Sequence, residues 1–309
     1  MVSANCKSHE RIAMDLCAIN QTSASPRFGI AFGGGGARGF AHINVIQAFD
    51  ELGLRPSIIA GTSIGSIIGA SYAAGMSGRE LKEFAAESVS SRRSLYARFW
   101  STRSGNLWDL VSKGPQAVQF NIEKLLQGFL PDLLPDTFEE LKMPFTAIAT
   151  DFYNQQDHAM SSGHLLSALA ASSCIPAIFS PVIRDKSTLI DGATTNPVPF
   201  EYLSGKADIL VGVDIIATTN ALRPMKSTIE ASYGASQILQ KTIIDLKTAI
   251  FKPDLIIRPD ISRFKTMEFM RAKQIIEATA YIKEETKRNI DKLIATRDLN
   301  QKIDRRQEA

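Results

Sequence analysis

Histidine and cysteine are both scarce in this chain of 309 residues, with four and three copies respectively. The cysteines, Cys6, Cys17 and Cys174, are odd in number and show no C-x-x-C spacing. That argues against a disulfide framework or a zinc site and makes a reducing compartment the expectation. An excess of charge of one sign is also missing: 35 Lys and Arg stand against 32 Asp and Glu, a formal net charge of +3. No global field draws such a chain onto nucleic acid. There is no internal repeat and no low-complexity tract. Hydrophobic residues at 44% and charged residues at 22% make an ordinary globular mix, which excludes disorder, collagen and coiled coil as the main state. A chain of this length buries a large core without staples.

Long apolar spans are absent as well. Pro56 to Gly78 and Ala159 to Ile183 carry no Asp, Glu, Lys or Arg, and length alone would make them membrane candidates. The first is broken by Gly61, Gly65, Gly69 and Gly75 and the second by Pro176 and Pro181, so both read as buried helices with tight backbone contacts in a globular domain. Residues 1–27 read as a polar, weakly ordered leader with no apolar run of signal-peptide length. Val2 does not fit a myristoylation signal and the terminal Gln-Glu-Ala is no prenyl box. The expectation is a cytoplasmic protein, with peripheral membrane contact at most; leaderless export leaves no mark on a sequence.

What is present is an alternation of short apolar runs and helical patterns. Strands are expected at 28–32, 57–60, 144–150, 188–190, 209–214 and 254–258. Helices are expected at 41–52, 64–74, from Ser77-x-x-Glu80 (a capping box) onward, at 165–173, 227–250 and 268–294. Residues 90–140 are less regular. This order implies an α/β fold with a mainly parallel sheet.

Gly33-Gly34-Gly35-Gly36-Ala37-Arg38-Gly39 lies between the first strand and its helix. Glycines let backbone N–H groups converge on one point, and a helix start adds positive potential. Such a loop fits a phosphate or the oxyanion of a tetrahedral acyl intermediate; a tight packing turn is the plain alternative. Gly34-x-Gly36-x-x-Gly39 matches the dinucleotide fingerprint. However, the second strand ends in Ala60-Gly61, where that motif expects an acidic ribose ligand. A P-loop is excluded, because no Lys-Ser/Thr follows.

One βα unit later, Gly61-Thr62-Ser63-Ile64-Gly65 is a G-x-S-x-G string. An apolar strand before it and a small-residue helix after it are the setting of a nucleophile elbow, with the Ile64 N–H available as an oxyanion donor. An N-cap serine in a glycine turn is the plain reading.

A serine nucleophile needs a base. His9, His42, His158 and His164 are the four histidines, and none lies beyond residue 164, so the usual Ser, Asp, His order cannot be completed. That shortage points to a carboxylate acting directly, which burial can tune by raising its pKa. Asp151, Asp191 and Asp214 each end an apolar run. Asp191-Gly192-Ala193 allows the closest backbone approach, and the residues alone leave all three open.

Taken together, Gly34–Gly39, Gly61–Gly65 and Asp191–Ala193 resemble, in order, the three blocks of the patatin-like phospholipase family, and 171–181 resembles its segment before the aspartate. The resemblance covers residues 28–204. It implies a patatin-like, three-layer α/β fold with a mainly parallel central sheet flanked by helices, and a Ser–Asp dyad. Carried over, Ser63 is the nucleophile and Asp191 the general base. Backbone N–H groups of Gly34, Gly35 and Gly36 form the oxyanion hole, while Arg38 supports the loop or a substrate phosphate, with Ala37 and Gly39 completing it. Gly61, Thr62, Ile64, Gly65, Gly192 and Ala193 shape the elbow and the Asp-Gly-Ala turn. Gly33, where relatives often have serine, is the one departure. The implied reaction is hydrolysis of carboxylic esters of phospholipids or lysophospholipids through an acyl-enzyme, with no metal or cofactor. Some relatives stay idle until a protein partner activates them. A nucleotide- or phosphate-binding protein and a catalytically silent regulatory protein are the competing functions.

Within this scheme, 28–204 is the catalytic domain, 205–298 adds strands and helices to the same fold, and 299–309 is a charged tail. Residues 92–113 hold five basic residues against one acidic, with Phe99, Trp100 and Trp108 among them. That composition suits a bilayer surface, and core-packed tryptophans are the plain alternative.

Overall fold

The computed structural model describes residues 26–88, 103–104, 119–216 and 228–307. Nearly all of the expected leader and of the 92–113 segment, including both tryptophans, lies outside the described residues. Strand β1 (Phe28–Phe32) leads through a 3-10 turn (Gly36–Ala41) into helix α1 (His42–Glu51). Next come β2 (Ile58–Thr62), α2 (Ile64–Ala73) and α3 (Gly78–Ser88). The strands β3 (Arg103–Ser104) and β4 (Gln119–Phe120) pair with each other in a small separate ladder. They are followed by α4 (Ile122–Gln127), β5 (Phe145–Asp151), β6 (Gln156–Met160) and α5 (Leu165–Ser172). The chain continues with β7 (Val182–Arg184), β8 (Ser187–Asp191), β9 (Ile209–Val213) and α6 (Thr228–Phe251). It ends with β10 (Leu255–Ile257), α7 (Ala272–Ala278) and α8 (Tyr281–Gln307).

The main sheet runs β10-β9-β1-β2-β5-β8-β7, with β6 on β5. The pairs from β10 through β5 are parallel; β6, β8 and β7 join antiparallel. Alternation along β1 and β2 explains why the sheet is covered on both faces. Phe28, Ile30, Phe32 and Ile59 enter the larger core with α1 and α2 residues such as Val45, Phe49 and Tyr72. Ala31, Ile58 and Ala60 face Phe200 and Leu203, from the turn before β9, and Ile244 of α6 on the other side. The result is the three-layer α/β architecture with a mostly parallel sheet.

Several boundaries differ from the sequence expectation. β2 runs on through Gly61 and Thr62 instead of turning there, because both pair with β5 opposite Ala147 and Ile148; glycine is required at 61, where a Cβ would lie 2.5 Å from the Gly65 carbonyl oxygen. β6 and β7 are additional strands, too short and too polar to stand out by alternation. The stretch 268–294 is not one helix. It divides at Thr279–Ala280, where the buried Asn44 amide donates to the Ile276 carbonyl at 3.0 Å and to Thr279 Oγ1 at 2.9 Å. That side chain satisfies helix-end groups that a continuous helix would use internally. Residues 299–307, expected as a charged tail, continue α8. Among the described residues, no helix is long and apolar enough to cross a membrane. The two charge-free stretches, expected as helices, are not helical throughout but resolve into β2 and α2, and into the end of β6, α5 and the start of β7.

Candidate active site

One edge of β5 brings the site together. β6 covers one edge along 147–151. On the other edge, parallel β2 ends with Thr62 opposite Ile148, and antiparallel β8 arrives from the far side and ends with Asp191 opposite Ala149. The two strands meet end to end, so Ser63 and Asp191 emerge side by side.

Ser63 Oγ donates to Asp191 Oδ2 at 2.6 Å. Both residues are buried, at 5% and 6% exposure. Burial pushes the Asp191 carboxyl from the usual 3.8 up to about 6, against the hydrogen bonds from Ser63 and the Ala193 N–H, which pull it down. Asp191 Oδ1 accepts that Ala193 N–H at 2.8 Å, and the Asp191 N–H donates to the Cys174 carbonyl at 2.9 Å. The carboxylate is therefore held at both oxygens and at its own backbone. Ser63 sits at φ 54°, ψ −126°, a conformation that costs a non-glycine residue about 1–3 kcal/mol. Its N–H donates to Ser172 Oγ at 2.9 Å, and Ser172 Oγ donates on to the Ile148 carbonyl at 2.6 Å. Gly65 lets the elbow close: a Cβ there would lie 2.3 Å from the Phe32 carbonyl oxygen.

The glycine loop reaches the same point. A Cβ placed on Gly34 would stand 3.3 Å from Ser63 Cβ and 3.1 Å from Ala193 Cβ, so all three motifs converge there. The loop is anchored residue by residue. The Gly33 N–H donates to the Val213 carbonyl, the Gly34 N–H to Pro197 and the Ala37 N–H to Thr266, at 3.0, 3.0 and 2.7 Å. The Gly34 N–H is thus spent inside the protein, contrary to its expected role as an oxyanion donor. The N–H groups of Gly35, Gly36 and Ile64 have no partner among the described residues. Gly36 takes φ 60°, which lets two successive N–H groups splay toward one acceptor.

Arg38 is buried and donates through Nε to the Phe264 carbonyl at 2.9 Å; of its two expected uses, the contact is with the loop support. His42, also buried, donates through Nε2 to the Gly33 carbonyl at 2.9 Å, and desolvation pulls its pKa down to about 4. It is a neutral clamp on the start of the loop.

The other candidate acids do other work. Asp151 accepts from the Asn154 backbone and side chain at 3.1 and 3.0 Å. Asp214 accepts from the Ile216 N–H and pairs with Arg258, both at 3.0 Å. His158 lies on β6 opposite Ala149, and His164 caps α5 by accepting the Ser167 N–H through Nδ1. Burial, then the Asp191 charge, push the Cys174 thiol up to about 12. Among the described residues no group of three or more His, Cys, Asp or Glu is arranged to hold a metal.

Ser172 and the 264–266 segment were not foreseen as parts of the site. Ser172 lies inside the recognised 171–181 segment, but a serine in a small-residue helix carries no mark of what it binds. Phe264 and Thr266 act through backbone carbonyls, which leave no side-chain signal.

The sequence matches the family model of the patatin-like phospholipases over residues 30–204. An uncharacterized NTE family protein of Mycobacterium bovis is 35% identical over 196 residues, 62% of this chain and 50% of that protein. A lysophospholipase of Aspergillus fumigatus is 30% identical over 197 residues, 60% of this chain and 12% of the fungal enzyme. The chain thus spans half or less of the length of these relatives. The human GIVD cytosolic phospholipase A2 superposes with a TM-score of 0.43 at 12% identity, over 88% of this chain and 59% of that one. With the family model covering more than half of its residues, the chain belongs to the patatin-like phospholipase family.

Proposed function

We propose that this chain is a serine lipid acyl hydrolase that cleaves carboxylic ester bonds of phospholipids or lysophospholipids. The observation that carries the reading is the 2.6 Å hydrogen bond from Ser63 Oγ to Asp191 Oδ2, in a buried setting that raises the carboxyl pKa to about 6. Asp191 takes the Ser63 proton as Oγ attacks the acyl carbonyl. The Gly35 and Gly36 N–H groups, with Ile64 at the start of α2, receive the oxyanion. Collapse of the tetrahedral intermediate expels the alcohol, which leaves with the proton held by Asp191. Asp191 then deprotonates a water that attacks the acyl-serine, and as the second tetrahedral intermediate collapses the proton passes from Asp191 to Ser63 Oγ and the fatty acid departs. The loop's anion seat lies beside a nucleophile that a nucleotide-binding protein would leave unused, which favours the hydrolase over its competitor.

The test is labelling with a tagged fluorophosphonate, beside Ser63→Ala and Asp191→Asn. Labelling of the wild type that vanishes in Ser63→Ala and falls sharply in Asp191→Asn supports the dyad. Folded wild type that stays unlabelled in the presence of liposomes, and gains thermal stability from nucleotides, would move the binding-protein reading ahead.

A further inference from the structure

β1, β2, β5 and β9 run the same way, so the glycine loop, Ser63 and the tip of the β5–β6 hairpin all lie at one end of the sheet. β5 is the strand that overshoots. Ser63 follows Thr62, which pairs with Ile148, whereas Phe152 and Tyr153 lie three and four positions past Ala149. At about 3.3 Å per residue the hairpin tip stands about 10 Å beyond the nucleophile. Phe152 is 54% and Tyr153 76% exposed, and their rings meet edge to face at 5.3 Å. The β7–β8 hairpin rises beside them: the Phe152 N–H donates to the Thr188 carbonyl at 2.9 Å, and Thr188 pairs with Ile183, which is 69% exposed. Alternation puts Phe152, Thr188 and Ile183 on the same face of these neighbouring strands.

We propose that these two hairpin tips are a membrane-docking rim, in which Phe152, Tyr153 and Ile183 dip into the interfacial layer of a lipid surface and set the site against its substrate. The inference rests on the lipid-hydrolase reading. Three features favour a lipid surface over a protein. The rim stands at the end of the sheet where the ester must be attacked. Its apolar area, on the order of 400 Å², is about half of what each partner gives to a stable protein interface. Tyrosine also has the amphipathic ring that settles at lipid–water boundaries, and the phenylalanine beside it adds apolar area to insert. The turn between β7 and β8 carries Arg184 and Lys186 against Asp185, close to neutral, so docking is driven by apolar insertion into a zwitterionic surface and depends only weakly on salt.

The experiment is co-sedimentation of the full chain with phosphatidylcholine vesicles in the Ser63→Ala background, where binding is read without turnover. Phe152→Ser with Tyr153→Ser is expected to lower the partition coefficient at least about tenfold, with Ile183→Ser adding a smaller loss. The melting temperature should stay within a few degrees of the parent, and the hydrolysis of a soluble monomeric ester by the Ser63-containing form within about twofold. Unchanged partitioning of the double variant, or binding abolished by salt at about 0.5 M, where the Debye length is about 4 Å, overturns the proposal. Vesicle binding with no ester hydrolysis by any form would instead remove the hydrolase reading while leaving the rim in place.

Discussion

Ser172 Oγ stands between the Ser63 N–H and the Ile148 carbonyl, accepting from one at 2.9 Å and donating to the other at 2.6 Å. It is a strut across the end of the sheet that holds Ser63 in its unfavourable backbone conformation. Ser172→Ala leaves two buried polar groups without partners and should cost about 1–3 kcal/mol of stability. Because the nucleophile then loses its fixed aim, kcat on a soluble ester should fall roughly tenfold with little change in KM. The neighbour Ser173 is a built-in control: it is also buried, but its Oγ has no hydrogen-bond partner among the described residues. Steady-state kinetics on both alanine variants separate the strut from mere packing; equal losses would mean that Ser172 has no special part.

Asp191 must be ionised to accept a proton, so kcat/KM should rise with pH through a single ionisation near 6. Stability should move the other way. The folded-state pKa lies above the unfolded value, so folding is unpenalised below about 3.8 and loses stability as pH rises through about 6. The difference corresponds to about 3 kcal/mol at neutral pH. Asp191→Asn should therefore melt higher than wild type at pH 8 and lose that advantage toward pH 4, while being nearly inactive throughout. Thermal melts across this range check the sign.

His42 titrates in the opposite sense. Its folded value near 4 lies below the ordinary 6.5, so its contribution is present above about 6.5 and is lost as pH falls through about 4. His42→Leu should flatten the acid limb of the stability curve. At pH 8 the same change frees the Gly33 carbonyl and should cost about 1 kcal/mol, with a loss of kcat from a loosened glycine loop. Urea titrations at pH 8 and pH 4.5 would distinguish the two effects; an unchanged acid limb would rule out His42 as its source.

The family model ends at residue 204, yet the glycine loop is held from beyond it. The Gly33 N–H donates to Val213, the Ala37 N–H to Thr266 and Arg38 to Phe264. β1 is paired with β9 along its whole length. A chain ended at 204 would turn β1 into an exposed apolar edge. Such a fragment should fail to give a cooperative thermal transition or fluorophosphonate labelling, whereas Arg38→Gln in the full chain should fold and lose labelling rate. A fragment that folds and labels would show that residues 205–307 are dispensable for the loop.

The parts of the site that were legible in the sequence are those where local backbone demands select a residue type. Gly65 must be glycine because α2 crosses the Phe32 carbonyl, and Gly36 because its φ is positive. Such demands recur as strings. The choice among Asp151, Asp191 and Asp214 depended on which strand shares an edge with β2, and register is set by long-range pairing that short apolar runs do not encode. The same reason hid β6 and β7, the break at Thr279 and the carbonyl contacts of Phe264 and Thr266.

The spacing of Ser63 and Asp191 is inherited from hydrogen-bond register along β5, where Ile148 and Ala149 are adjacent residues of one strand. Distances set this way do not vary smoothly. An insertion or deletion in β5, β2 or β8 would move one member by a whole residue step, about 3.3 Å, and flip its side chain to the other face. Ser63 and Asp191 would then be either in contact or out of reach, with no intermediate setting for gradual change to explore. Diversification of such an enzyme is confined to the walls around the pair.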